Sequence, residues 1–187
     1  MSALIWLPVA LVVAVGMELW AGLLHGRIWH SVLWSVHRSH HRKRRGKMEA
    51  NDALSVLHAP IAIAFILYGC RAHPGALREI VFGVGIGMTM FGLSYLVVHD
   101  GLVHERLPVS GLLRFEYFRR VRDAHLIHHT TARGKAPYGL FFGPWELEPI
   151  TRATAPSRDA SPTWPPKRTR DRETPPGTPE DASSTSQ

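Results

Sequence analysis

Three stretches of the sequence are almost free of charge, and they set its organisation. Residues 1–17 (MSALIWLPVALVVAVGM) carry no charged side chain, and the apolar character runs past Glu18 to Leu24. Residues 53–70 (ALSVLHAPIAIAFILYGC) hold only the titratable His58, and residues 80–98 (IVFGVGIGMTMFGLSYLVV) are nineteen uncharged positions. A helix needs roughly 20 apolar residues to cross the hydrocarbon core of a bilayer, so each run predicts a transmembrane helix. Burying three all-round apolar helices inside a soluble protein would take more covering chain than 187 residues supply. The first run lacks the basic leading region and small-x-small cleavage site of a signal peptide, which predicts a retained anchor. The expected fold class is all-α integral membrane: three, or at most four, transmembrane helices with a cytoplasmic, histidine-rich helical cap.

Charge then orients the spans. Between Leu24 and Ala53 lie Arg27, Arg38, Arg42, Lys43, Arg44, Arg45 and Lys47, with no acid before Glu49. The short connection between the second and third runs has only Arg71 and Arg78, the latter followed by Glu79. The positive-inside rule places the first connection and everything after Val98 in the cytoplasm, which predicts a multi-pass protein of the inner (cytoplasmic) membrane. The formal charge of +7 would also suit a nucleic-acid binder. Anionic headgroups already account for the basic run, so the expected partner is the lipid bilayer and no nucleic acid. The segment VFGVGIGM lacks the third glycine of a dinucleotide loop; Gly83, Gly85, Gly87 and Gly92 predict close helix packing instead.

Residues 1–150 are therefore read as one membrane-embedded domain. From about Thr151 the sequence turns to Pro, Ser, Thr and mixed charge, and residues 151–187 predict a disordered cytoplasmic tail.

Histidine carries the candidate chemistry. With Cys70 the single cysteine, there is no disulfide framework, no cysteine-based zinc site and no iron–sulfur ligand set. Ten of the twelve histidines fall into four groups: His25 and His30; His37, His40 and His41; His99 and His104; His125, His128 and His129. The order H-x4-H then H-x2-H-H thus occurs twice. Positions i, i+3 and i+4 share a helix face, so each triplet can converge. An i, i+5 pair is roughly 140° apart on a straight helix and cannot. Gly26 and Gly101, one inside each pair, predict a helix end or distortion there. All ten histidines lie on one side of a three-span topology. Ten imidazoles exceed the needs of one ion, and five per half suits two. Nitrogen-only ligation fits iron, zinc, copper or nickel. The neighbouring positive charge is expected to keep the rings neutral. His73 reads as a loop residue, while His58, inside a span, stands open between a structural and a functional role. Asn51, Asp52, Asp100 and Asp123 are candidates to receive imidazole N–H bonds and fix the tautomers. Tyr95, Phe91, Trp29 and Trp34 could line an apolar pocket or simply pack at the interface.

The stretches HGRIWHSVLWSVHRSHHRKRRGKMEANDALSV, YLVVHDGLVHERLP and RDAHLIHHTTARGK resemble the bacterial β-carotene hydroxylases. These are a branch of the membrane fatty-acid hydroxylase superfamily, and the likeness runs from about Met17 to Phe142. H-x2-H-H alone is shared across that superfamily; HDGLVH after an apolar helix, with Asn51–Asp52, is more specific. The resemblance implies a monooxygenase with two non-haem iron ions held by the ten histidines. It also implies that O2 and electrons from reduced ferredoxin convert β-carotene to β-cryptoxanthin and then zeaxanthin by hydroxylation at C3 of the β-ionone rings. Ala136–Glu146 (APYGLFFGPWE) departs from the pattern and is expected to shape substrate access. The competing readings are a carotenoid ketolase, a fatty-acid hydroxylase or desaturase, and, in another class, a haem electron carrier or a metal transporter. Haem ligands should lie within paired helices, and a transporter should carry polar ligands along the span.

Overall fold

A computed structural model describes residues 2–42, 48–130 and 135–147. The predicted tail and the core of the basic run, residues 43–47, lie outside the described residues. All regular structure among the described residues is helical.

Helix α1 (Ala3–Leu24) passes without interruption into a π-helical turn, His25–Trp29. Two short helices follow, α2 (Trp34–His37) and α3 (Asp52–Ser55), then α4 (Ala59–Arg71). Helix α5 (Ala76–Tyr95) runs into a second π-helical stretch, Leu96–Val103. A single 3-10 turn (Ser110–Arg114) leads to α6 (Glu116–Thr130).

Three continuous helical segments are long and apolar enough to cross a membrane: Ala3–Trp29, Asp52–Arg71 and Ala76–Val103. Only 11%, 11% and 22% of their most apolar windows are buried, so the surfaces they expose are those of helices solvated by lipid. Leu4, Val12, Leu19, Leu77 and Leu93 all point outward. The three spans match the three apolar runs; no fourth crossing occurs among the described residues.

Helix α5 lies between α1 and α4, and its glycines explain how closely. A Cβ on Gly83 or Gly87 would stand 2.6 Å from Trp6 O or 2.5 Å from Ala10 O, both backbone atoms of α1. On Gly85 it would meet Ala62 O of α4 at 2.9 Å. Small residues thus let backbones meet where lipid offers no hydrophobic drive to association. Gly92 departs from the expectation, since a Cβ there meets nothing within 4 Å. The Ser2 backbone N–H donates to Glu79 Oε2 (3.1 Å), which pins the starts of α1 and α5 together at one end. Both helices run in parallel to the opposite end, where both change to π geometry and deliver their histidines.

Candidate metal centre

The two π turns resolve the H-x4-H problem. In π geometry the amide of residue i+5 bonds the carbonyl of residue i and so sits almost directly above it. His30 N bonds His25 O (3.1 Å) and His104 N bonds His99 O (3.0 Å). Each pair is therefore stacked on one face instead of splayed. The glycine inside each turn also leaves room for what packs there: a Cβ on Gly26 would stand 2.8 Å from the Tyr138 ring, and one on Gly101 2.9 Å from Val109 Cγ2.

The structure brings all ten histidines together in two adjoining groups. Ring nitrogens of His25, His30, His37, His41 and His128 lie within 4.8 Å of one another, as do those of His40, His99, His104 and His125. His129 joins the second group, with its Nε2 3.0 Å from His125 Nε2. Its ring stacks on His41 of the first at 4.4 Å, so the groups abut.

The groups are interlocked. Four members of the first come from the first half of the chain and one, His128, from α6. His40 alone crosses into the second. The H-x2-H-H spacing is the cause. Residue i+4 lies about 40° from residue i on a helix and residue i+3 about 60° to the other side. His37 and His41 accordingly stay together while His40 turns away; His125 and His129 stay together while His128 turns away.

Hydrogen bonds fix the tautomers of three members of the first group. His25 Nδ1 donates to Tyr138 O (2.8 Å), His128 Nδ1 to Lys135 O (2.7 Å) and His37 Nδ1 to Asn51 Oδ1 (2.7 Å). With the proton on Nδ1, the Nε2 of each of these three rings is a lone pair. Yet His25 Nε2 and His37 Nε2 are 3.1 Å apart, and His30 Nε2 is 3.1 Å from His128 Nε2. Converging lone pairs repel unless a cation sits among them. Nitrogens each about 2.1 Å from a metal are about 3.0 Å apart at right angles and about 3.4 Å apart in a tetrahedron. The observed spacings fit a five- or six-coordinate ion better than a closed tetrahedral one. In the second group His99 Nε2 and His40 Nε2 stand 3.1 Å apart, and His104 Nε2 is buried without a hydrogen-bond partner. The donor set fits two divalent ions.

Burial favours the neutral form of seven of the rings. It pushes His37 and His128 down to about 4 and His41 and His104 to about 3, and neighbouring imidazoles add to the effect. His40, His125 and His129 are lowered for the same reasons. The direction matches expectation, but desolvation leads, with the positive charge of nearby arginines at most a minor contributor.

The outer partners differ between groups. Around the second, Arg106 Nη1 binds Asp52 Oδ1 (2.8 Å) and Asp100 Oδ1 (3.1 Å), and its Nη2 binds Glu49 Oε1 (3.2 Å). Glu49 Oε2 then stands 3.6 Å from His40 Nδ1, and Asp100 Oδ1 3.5 Å from His99 Nδ1. Of the four predicted partners, Asn51 touches a histidine directly and Asp100 approaches one. Asp52 acts through Arg106. Asp123 is exposed and lies outside the cluster, because it is two residues before His125 and so on the opposite face of α6. Tyr95 stacks on His99 at 4.4 Å, Trp29 packs on His25 and His37, and Trp34 packs on His30 and His41. Phe91 meets Tyr95 and Phe141. His58 accepts from the Trp20 indole (3.0 Å) and belongs to neither group.

Four residues escaped the sequence reading: Glu49, Arg106, Glu18 and Glu146. Glu18 is buried within α1, and its Oε1 accepts the Phe142 N–H (2.9 Å). Glu146 accepts the amides of Tyr138 (2.7 Å) and Gly139 (3.0 Å). Together they clamp the loop whose Tyr138 carbonyl orients His25. The divergent segment Ala136–Glu146 is thus part of the wall of the first group. A charge inside an apolar run was the available signal for Glu18.

Residues 10–147 match the family model described as fatty acid hydroxylase. The chain belongs to the fatty acid hydroxylase family. Among curated relatives of this hydroxylase-family chain, the chloroplastic β-carotene 3-hydroxylase of Gentiana lutea is 48% identical over 137 residues, which is 73% of this chain and 42% of that protein. β-Carotene hydroxylase 1 of Capsicum annuum is 47% identical, over 73% of this chain and 43% of its own length. The β-carotene hydroxylase of Pantoea ananas is 36% identical over 83% of this chain and 87% of the relative. The chain therefore spans less than half the length of the plant relatives it matches. No solved structure matches it significantly.

Proposed function

We propose that this hydroxylase-family chain is a carotenoid 3-hydroxylase that converts β-carotene to β-cryptoxanthin and then zeaxanthin, adding a hydroxyl at C3 and C3′ of the β-ionone rings. The observation that carries the reading is the pair of interlocked imidazole groups at one end of three lipid-exposed helices. Apolar substrate can reach such a site from the bilayer, and the relatives named above supply the substrate class.

The ten histidines would hold two non-haem iron ions, which when bound supply the O2-activating chemistry that an inert C–H bond demands. The chain's own residues do the rest. The Tyr138 and Lys135 carbonyls and Asn51 hold three rings with Nε2 inward. Tyr95, Trp29 and Trp34 pack on ligand rings and exclude water from them. The donor of electrons in this reading is reduced ferredoxin or a similar small carrier. The site faces the cytoplasm and the membrane is the inner one, in keeping with the basic first connection.

Expression in a bacterium that accumulates β-carotene, followed by chromatography of the pigments, tests the reading. Zeaxanthin with some β-cryptoxanthin is expected. Unchanged β-carotene alongside folded, iron-loaded protein would refute it. The family description favours one rival, a fatty-acid substrate, and hydroxylated acyl chains in the same cells would be its signature.

A further inference from the structure

We infer that the two imidazole groups are unequal metal sites, and that the second, around His40, His99, His104, His125 and His129, binds a divalent ion more tightly than the first. The inference rests on the dinuclear reading and extends it to the division of labour between the sites.

The reason is the charge behind the rings. Three rings of the first group, those of His25, His128 and His37, place Nδ1 on neutral oxygens: two peptide carbonyls and the side-chain amide of Asn51. Glu18 and Glu146 bind amides of the 138–142 loop, and the Tyr138 peptide links that loop to His25. The second group is backed by Glu49 and Asp100, whose oxygens lie 3.6 and 3.5 Å from the Nδ1 atoms of His40 and His99. Asp52 completes a triad of carboxylates against one guanidinium, that of Arg106, leaving two negative charges uncompensated by it. These side chains are mostly buried, at 11–15% exposure, so water screens them weakly. A carboxylate behind an imidazole raises the ring's basicity and favours the cation beyond it. A carbonyl or amide orients the ring but adds no net charge. Arg106 is a positioning residue here: it holds Glu49, Asp52 and Asp100 from separate parts of the chain in one place.

The placement of Asn51 beside Asp52 sharpens the contrast. Asn51 faces His37 of the first group, while Asp52 faces Arg106 of the second. One amide and one acid, adjacent in sequence, serve opposite sites.

The test uses the full-length chain in detergent, loaded with Co(II) and then equilibrated with a graded chelator. Bound cobalt is counted and followed by its ligand-field absorption. Two ions released in two resolved steps are expected. His104→Ala should abolish the tighter step and His30→Ala the weaker, which assigns each step to its group. Glu49→Gln and Asp100→Asn should each weaken only the tighter step, by about 10- to 100-fold. Asn51→Asp should strengthen the weaker step and narrow the gap. Release of both ions from the unaltered chain in a single step overturns the inference whatever the variants do. So does a change of equal size in both steps on losing Glu49 or Asp100. Fewer than two ions bound by the unaltered chain would instead count against the dinuclear reading itself.

Discussion

The first half of the chain and the second deliver their histidines by the same route but to different neighbourhoods. Each half runs a membrane helix into a π turn carrying H-x4-H and then presents H-x2-H-H, from the end of α2 into the following turn in the first half and on α6 in the second. The first group, His128 included, meets carbonyls, an amide and the aromatic faces of Trp29, Trp34 and Tyr138. The second group, His40 included, meets Glu49 and Asp100, both held by Arg106. One backbone grammar therefore fixes where ten nitrogens go, and a handful of polar side chains decides what each set is worth to a cation. The exchange of His40 and His128 ties the halves, so neither works alone.

The largest test strikes that exchange. His40→Ala is expected to empty the second group although four of its rings come from the other half, and His128→Ala to empty the first. Each should reduce pigment conversion by more than about 100-fold, beyond the cost of losing an outer partner. Metal content by mass spectrometry would show which ion goes. Loss from the group on the mutated residue's own half of the chain would break the interlocked picture.

Acid should act on both groups next. His37, His40, His41, His104, His125, His128 and His129 have folded-state pKa values below their unfolded value of about 6.5, so the unfolded chain takes up protons first as pH falls. Stability is fully present above that value and is lost on descent from it towards about 4 for His37 and His128 and about 3 for His41 and His104. Thermal midpoints in detergent should fall steadily between pH 7 and 4.5. A flat profile over that window would contradict the burial of the rings.

The spans were legible in the sequence because a bilayer demands long apolar runs and tolerates few substitutes. The ten histidines were legible because their spacing repeats. Their pairing was not, since straight-helix geometry separates i and i+5 and only Gly26 and Gly101 hinted at another geometry. Arg106 and Glu49 lie in irregular connections, where no periodicity marks a buried side chain. Glu18 did carry a signal, as an acid in an apolar run.

Two smaller tests compare the clamp and the helix seam. Glu18→Ala should leave the Phe142 amide without its partner and cost about 1–3 kcal/mol. It should also loosen the first group in preference to the second, read as faster loss of one of two bound ions. In α5, Gly87→Ala drives a methyl into the Ala10 carbonyl and should cost about 1–3 kcal/mol. Gly92→Ala has open space and should be neutral or stabilise by about 0.5–1 kcal/mol. Equal effects at the two glycines, by thermal midpoint, would remove the case for backbone-to-backbone packing at Gly87.

The crossing of His40 and His128 also orders events during biosynthesis. A nascent chain that has emerged only as far as α5 can gather four imidazoles of the first group and, from its first half, a single member of the second. Neither set is complete until α6, which carries His125, His128 and His129, has left the ribosome and docked on the membrane face. Both sets therefore reach their full complement of imidazoles only once α6 is in place.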